Sequence, residues 1–129
     1  MKSIIICVLS VLLFAYAGCK KKEKAGYGGN AGFKLTSKHH GMVIDSCTFY
    51  IKFNATDAPA AGTYDITKEE FTYSVGNSYA TISGLKKGDY YIYVRGWDPS
   101  ISSEVSGGFP YTIKEEKEIS LDVAVTEIH

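Results

Sequence analysis

The chain is short of most things that catalysis, nucleic-acid binding or membrane spanning require. Charge of neither sign is in excess, since 14 basic residues meet 14 acidic ones. A nucleic-acid partner needs a concentrated basic face to displace counterions, so that class is set aside. No Gly-x-Ser-x-Gly elbow, His-Glu-x-x-His pair, Cys-x-x-Cys pair or phosphate-cradling loop before Lys-Ser/Thr occurs. The carboxylate pairs Glu69-Glu70 and Glu115-Glu116 are adjacent, which on a strand sends them to opposite faces rather than into one acid/base couple. Neither an enzyme nor a cofactor is therefore expected. No segment carries a sustained helical stripe, although Thr67-Lys68-Glu69-Glu70 suits one helical turn, and no repeat recurs at solenoid periods. Proline and cysteine number three each against ten tyrosines, and tyrosine enrichment favours strands.

What is present first is an export signal. Lys2 gives a positive start, residues 4–17 are uncharged and mostly apolar, and Ala17-Gly18-Cys19 closes the run with small residues and a thiol. A run of this length is short of the roughly 20 residues that a spanning helix needs. The arrangement resembles the lipobox of bacterial lipoproteins, with Tyr16 where that family usually carries Leu. The resemblance implies a signal peptide over 1–18, cleavage before Cys19 and a lipid on that cysteine. Removing 18 residues from 129 leaves 111, enough for one small domain. Cys7 would leave with the signal and Cys19 would carry lipid. Cys47 would then stand alone, with no intramolecular disulfide to hold the core. Lys20-Lys21-Lys22 and Lys24 follow at once, where each lysine near an anionic head-group surface is worth about 1 kcal/mol.

Residues 19–32 are rich in Lys, Gly, Ala and Asn and are expected to form a lipid-attached flexible linker. Gly26-Tyr27-Gly28-Gly29-Asn30-Ala31 has the spacing of a dinucleotide fingerprint, but a charged segment precedes it and no helical pattern follows, so the match is accidental. From Phe33 the apolar period is two. Cys47, Phe49, Ile51 and Phe53 alternate with Thr48, Tyr50, Lys52 and Asn54, and Ile119, Leu121, Val123 and Val125 alternate with Ser120, Asp122, Ala124 and Thr126. Further runs are expected over 64–67, 71–75, 79–83, 90–97 and 109–113. Gly62, Gly76-Asn77, Lys86-Lys87-Gly88-Asp89, Asp98-Pro99-Ser100 and Gly107-Gly108 punctuate them as turns. Short strands at such intervals predict an all-β sandwich of about seven strands over residues 33–129.

The segment Ala80-Thr81-Ile82-Ser83-Gly84-Leu85-Lys86-Lys87-Gly88-Asp89-Tyr90-Tyr91-Ile92-Tyr93-Val94 resembles the corner between two late strands of transthyretin-like, carboxypeptidase-regulatory-like and other immunoglobulin-like modules. Residues 41–51 are similar to the entry of those modules into their second strand. In such a corner Leu85 anchors the turn, Gly88 permits a positive φ, and Tyr90 buries its ring while its hydroxyl bonds backbone across the corner. With the lipobox and its lysines, the chain resembles small lipoproteins of Bacteroidota. That implies an outer-membrane location in a bacterial envelope, with the periplasmic and surface faces both open. No Tyr-Arg-Gly-Ser segment, which marks a ring-hydrolysing branch of the transthyretin-like fold, is present.

Two constellations carry chemistry. In the strand expected over 90–97, Tyr90, Ile92 and Val94 face the core, which leaves Tyr91, Tyr93, Arg95 and Trp97 on the outer face. Three aromatics and an Arg on one face suit a glycan, whose C–H groups pack on rings, or an envelope protein partner. The same tyrosines also serve as cross-strand pairs worth about 0.2–1 kcal/mol each. His39-His40 is the weaker constellation. With Asp45, Cys47 and His129 it hints at a metal, but adjacent histidines in a polar loop are usually solvated, and Cys47 continues the buried Phe49–Ile51 face.

Overall fold

The computed structural model describes residues 23–129, so the expected signal peptide and Cys19 lie outside the described residues. Ten strands form where about seven were expected, because two-residue pairings at Met42–Val43 and Thr126–Glu127 are too short to show a period: β1 (Tyr27–His39), β2 (Met42–Val43), β3 (Thr48–Phe53), β4 (Ile66–Glu69), β5 (Phe71–Thr72), β6 (Ser78–Leu85), β7 (Gly88–Asp98), β8 (Ser103–Ile113), β9 (Glu118–Ala124) and β10 (Thr126–Glu127). They make an all-β, sandwich-like fold of two sheets. One sheet runs β2-β1-β6-β5 with β9 added parallel to β1, and the other runs β10-β8-β7-β3-β4 with every pair antiparallel.

The core follows from the alternation. Phe49 and Ile51 of β3 and Tyr90, Ile92 and Val94 of β7 face inward, fully buried, against Phe33 and Leu35 of β1, Ala80, Ile82 and Leu85 of β6, and Val123 of β9. Register pairs Phe49 with Val94 and Ile51 with Ile92, so large side chains stack across the second sheet. Phe33 and Phe53 both pack edge-on against the Tyr90 ring, at 5.5 and 5.7 Å between centroids. The corner at Leu85–Tyr90 has the expected parts. Leu85 is fully buried, Gly88 has φ 143°, and the Tyr90 hydroxyl donates to Lys86 O at 2.6 Å while accepting from Gly26 N–H at 3.0 Å.

Several boundaries differ from expectation. The linker expected over 19–32 is corrected at its C-terminal part, because β1 starts at Tyr27 and Ala31 is buried. The glycines there serve close packing: a Cβ at Gly29 would overlap Leu85 O, and one at Gly32 would lie 2.6 Å from Ile82 O. Backbone of β1 thus bulges tightly against β6, with register shifts on both sides of Ala31. Gly107-Gly108 is likewise no turn but the middle of β8. A Cβ at Gly107 would overlap the carbonyl oxygen of Ala124, where the chain crosses from β9 in one sheet to β10 in the other. Residues 67–69, the suggested helical turn, belong to strand β4. The run expected over 71–75 contracts to β5, leaving Tyr73 and Val75 exposed.

Candidate functional site: a tyrosine-lined cleft

Outward-facing positions of the second sheet build one cleft. Tyr50 on β3 stands opposite Tyr93 on β7, with ring centroids 5.9 Å apart. Tyr64, from the loop entering β4, closes the group: it lies 5.6 Å from Tyr50 and nearly parallel to Tyr93, at 14° and 5.9 Å. Tyr91, Thr67 and Arg95 extend the lining, and the 58–62 loop supplies a wall of Ala58, Pro59, Ala61 and Gly62. The open cleft has a volume of about 530 Å³, within the roughly 300–1,000 Å³ range of small-ligand sites.

Two local devices hold this shape. The wall loop is tied to β3, since Lys52 Nζ donates to Thr63 O at 2.8 Å and pairs with Asp65 at 3.6 Å. Asp65 in turn accepts from Phe53 N–H at 2.7 Å. On the opposite side Gly108 leaves the floor open, and a Cβ there would come within 3.0 Å of the Tyr91 hydroxyl, whose ring leans across the strand. Burial, with Tyr91 and Tyr93 nearby, pushes the Tyr64 phenol above its ordinary pKa, so it stays protonated and able to donate. Arg95 is the cationic lining residue, and its guanidinium donates to Glu104 Oε2 at 2.6 Å, which raises its pKa and balances its charge. The cleft therefore offers ring faces, hydroxyl groups and small apolar walls, with no carboxylate among its lining residues.

The expected outer face divides. Tyr91, Tyr93 and Arg95 line the cleft, while Trp97 lines a separate recess of about 470 Å³ at the end of the sandwich with Met42, Val75, Ile101 and His39. His39 and His40 are not a solvated loop pair. His39 ends β1, is 5 % exposed, and its Nδ1 lies 2.7 Å from Asp98 Oδ2. Asp98 also accepts from the Ser100 hydroxyl and backbone N–H; the Ser100 hydroxyl, then His39, then the Ser100 N–H lower its pKa. The His39 and His40 rings lie 4.1 Å apart and tilted by 43°, with His40 exposed at φ 49°. Among the described residues no three His, Cys, Asp or Glu side chains converge as metal ligands.

Cys47 lies in the core over Gly96, where an added Cβ would overlap its sulfur. Burial pushes its thiol up to about 11, and Sγ sits 3.1 Å from Ser37 Oγ. Glu70 completes this polar group, accepting from Ser37 Oγ at 2.9 Å and from Cys47 N–H at 3.1 Å. Tyr50, Tyr64 and the His39–Asp98 pair were not singled out by sequence. Tyr50 had a usable signal, as an outward residue flanked by Phe49 and Ile51, whereas Tyr64 had none because a loop conformation places it.

No protein-family model matches the chain, and neither a curated protein nor a solved structure shows significant similarity to it.

Proposed function

We propose that this protein is a lipid-anchored, non-enzymatic binding module of a bacterial envelope, whose tyrosine cleft holds a glycan. The cleft carries this reading: four tyrosines, small walls and a balanced charge suit an uncharged polyhydroxylated ring, whose C–H faces pack on phenols while its hydroxyls meet theirs. A lipid chain would want Leu, Ile or Phe lining instead, and none lines the cleft. An envelope protein is the alternative partner, favoured by the same Tyr and Arg composition. The Leu85–Tyr90 corner supports kinship with transthyretin-like and immunoglobulin-like modules, and Ala17-Gly18-Cys19 supports anchoring at Cys19. Carriage of a metal through His39 and His40 has less support, because Asp98 already occupies one nitrogen of His39.

The test is affinity electrophoresis through neutral and acidic polysaccharides, with Tyr64→Ala and Tyr93→Ala beside the unaltered chain. Truncating a central aromatic anchor costs about 2 kcal/mol or more, roughly thirtyfold in affinity. Retardation by a neutral polysaccharide that both changes abolish, with melting temperatures kept, is the expected result. Retardation that persists in both variants would place any binding elsewhere. Capture of a protein from envelope extract that both changes abolish, with no polysaccharide retarded, selects the alternative.

A further inference from the structure

The folded domain begins close to Cys19. Ala25 N–H donates to Asn54 Oδ1 at 2.8 Å, and Ala25 is 7 % exposed. Gly26 is held through both its backbone groups, by the Tyr90 hydroxyl at 3.0 Å and by Lys86 N–H at 2.8 Å. Only residues 20–24 stand between Cys19 and this fixed point, at most about 22 Å of extended chain. From there β1 runs for 13 residues, about 40 Å, toward His39. The two ends of the sandwich therefore stand at different heights above any anchor on Cys19.

They also differ in charge. Lys24, Lys86 and Lys87 gather at the near end, opposed by Glu23 and Asp89. The β8–β9 turn adds Lys114 and Lys117 there, outweighed by Glu115, Glu116 and Glu118. The Lys86 stem lies against Gly26, and beside it Tyr27 is 59 % exposed, with its ring edge-on to Phe53. The far end holds Asp45, Glu69, Glu70, Asp98, Glu104, Asp122 and Glu127 against Lys38, Lys68 and Arg95. Among the described residues the near end is thus balanced in charge, with Lys24, Lys86 and Lys87 grouped on one side of it, and the far end is acidic.

We infer that the start of β1 and the β6–β7 corner form a seat for an anionic lipid surface, contacted by Lys24, Tyr27, Lys86 and Lys87. Basic side chains at such a surface are attracted within a Debye length, and a tyrosine ring is favoured at head-group depth. The acidic end is held outward by the same field. The inference builds on anchoring at Cys19, which supplies the proximity, and it assigns the surface to lipid head groups rather than to a protein.

The non-acylated chain from residue 19, carrying Cys19→Ser, tests the seat apart from the anchor. It should sediment with phosphatidylcholine vesicles only when they contain phosphatidylglycerol. Lys86→Glu with Lys87→Glu should weaken that partition about twenty-fivefold or more, at about fivefold per lysine, with the melting temperature preserved. Trp97 is the sole tryptophan and sits at the far end, so brominated lipid should leave its emission intact. The Tyr27→Trp, Trp97→Phe variant should be quenched. Indifference of the unaltered chain to phosphatidylglycerol, full partition of the lysine variant, or quenching of Trp97 would each overturn the seat. Failure of Cys19 to take up a lipid precursor in cells would instead remove the anchor and leave vesicle binding as measured.

Discussion

Tyr90→Phe removes a single oxygen and isolates what fastens the beginning of β1. The ring keeps its edge contacts with Phe33 and Phe53, so no cavity opens. What disappears is a buried hydroxyl that accepts from Gly26 N–H at 3.0 Å, donates to Lys86 O at 2.6 Å and lies 3.2 Å from Gly26 O. Gly26 N–H is then left inside the corner without its acceptor, at a cost of about 1–3 kcal/mol. Taking about 2 kcal/mol and roughly 4 °C per kcal/mol for a domain near 100 residues, the melting temperature should fall by about 8 °C. Calorimetry measures the fall, and hydrogen exchange locates it. Amide protection should drop most over residues 25–30, with β3 and the inner part of β7 much less affected. A fall below about 2 °C with unchanged protection at Gly26 would refute the role given to the hydroxyl.

Two further outcomes follow from buried groups. Gly107→Ala should destabilise by about 3 kcal/mol or more, because the added methyl meets the backbone carbonyl of Ala124 rather than a side chain that can turn away; a denaturation midpoint equal to that of the unaltered chain would contradict the tight crossing. Burial raises the pKa of Glu70, so the folded state binds its proton more tightly than the unfolded chain does. Stability from this group is present below the ordinary glutamate value and declines as pH rises through the raised one. Glu70→Gln, whose amide can accept from Cys47 N–H and donate to Ser37 Oγ, should flatten that slope in urea titrations across acidic pH. An unchanged slope would show that Glu70 is not its source.

The strands were legible wherever one face is buried and the other wet. Phe49 with Ile51, and Tyr90 with Ile92 and Val94, announce their direction through a strict period of two, and the structure puts all five in the core. Glycine is where reading failed. At Gly29 and Gly107 it marks backbone pressed against backbone, which composition alone cannot distinguish from a flexible linker or a turn. The tyrosine face was half visible for the same reason. Tyr91, Tyr93 and Arg95 share a strand and a period, whereas Tyr64 reaches them only because Lys52 and Asp65 fold a loop back onto β3. His39 was misjudged because its partner, Asp98, lies 59 residues away and no local pattern records that encounter.

The crossing at Ala124–Val125 has a consequence for how the chain reaches this state. Residues 118–124 pair in parallel with Gly32–Lys38, and Val125 N–H then bonds Lys38 O before Thr126 and Glu127 join β8. The first long strand thus finds one of its three partners only some ninety positions further along the chain. Loop closure of that span is slow, and until it happens β1 keeps an open edge on one side.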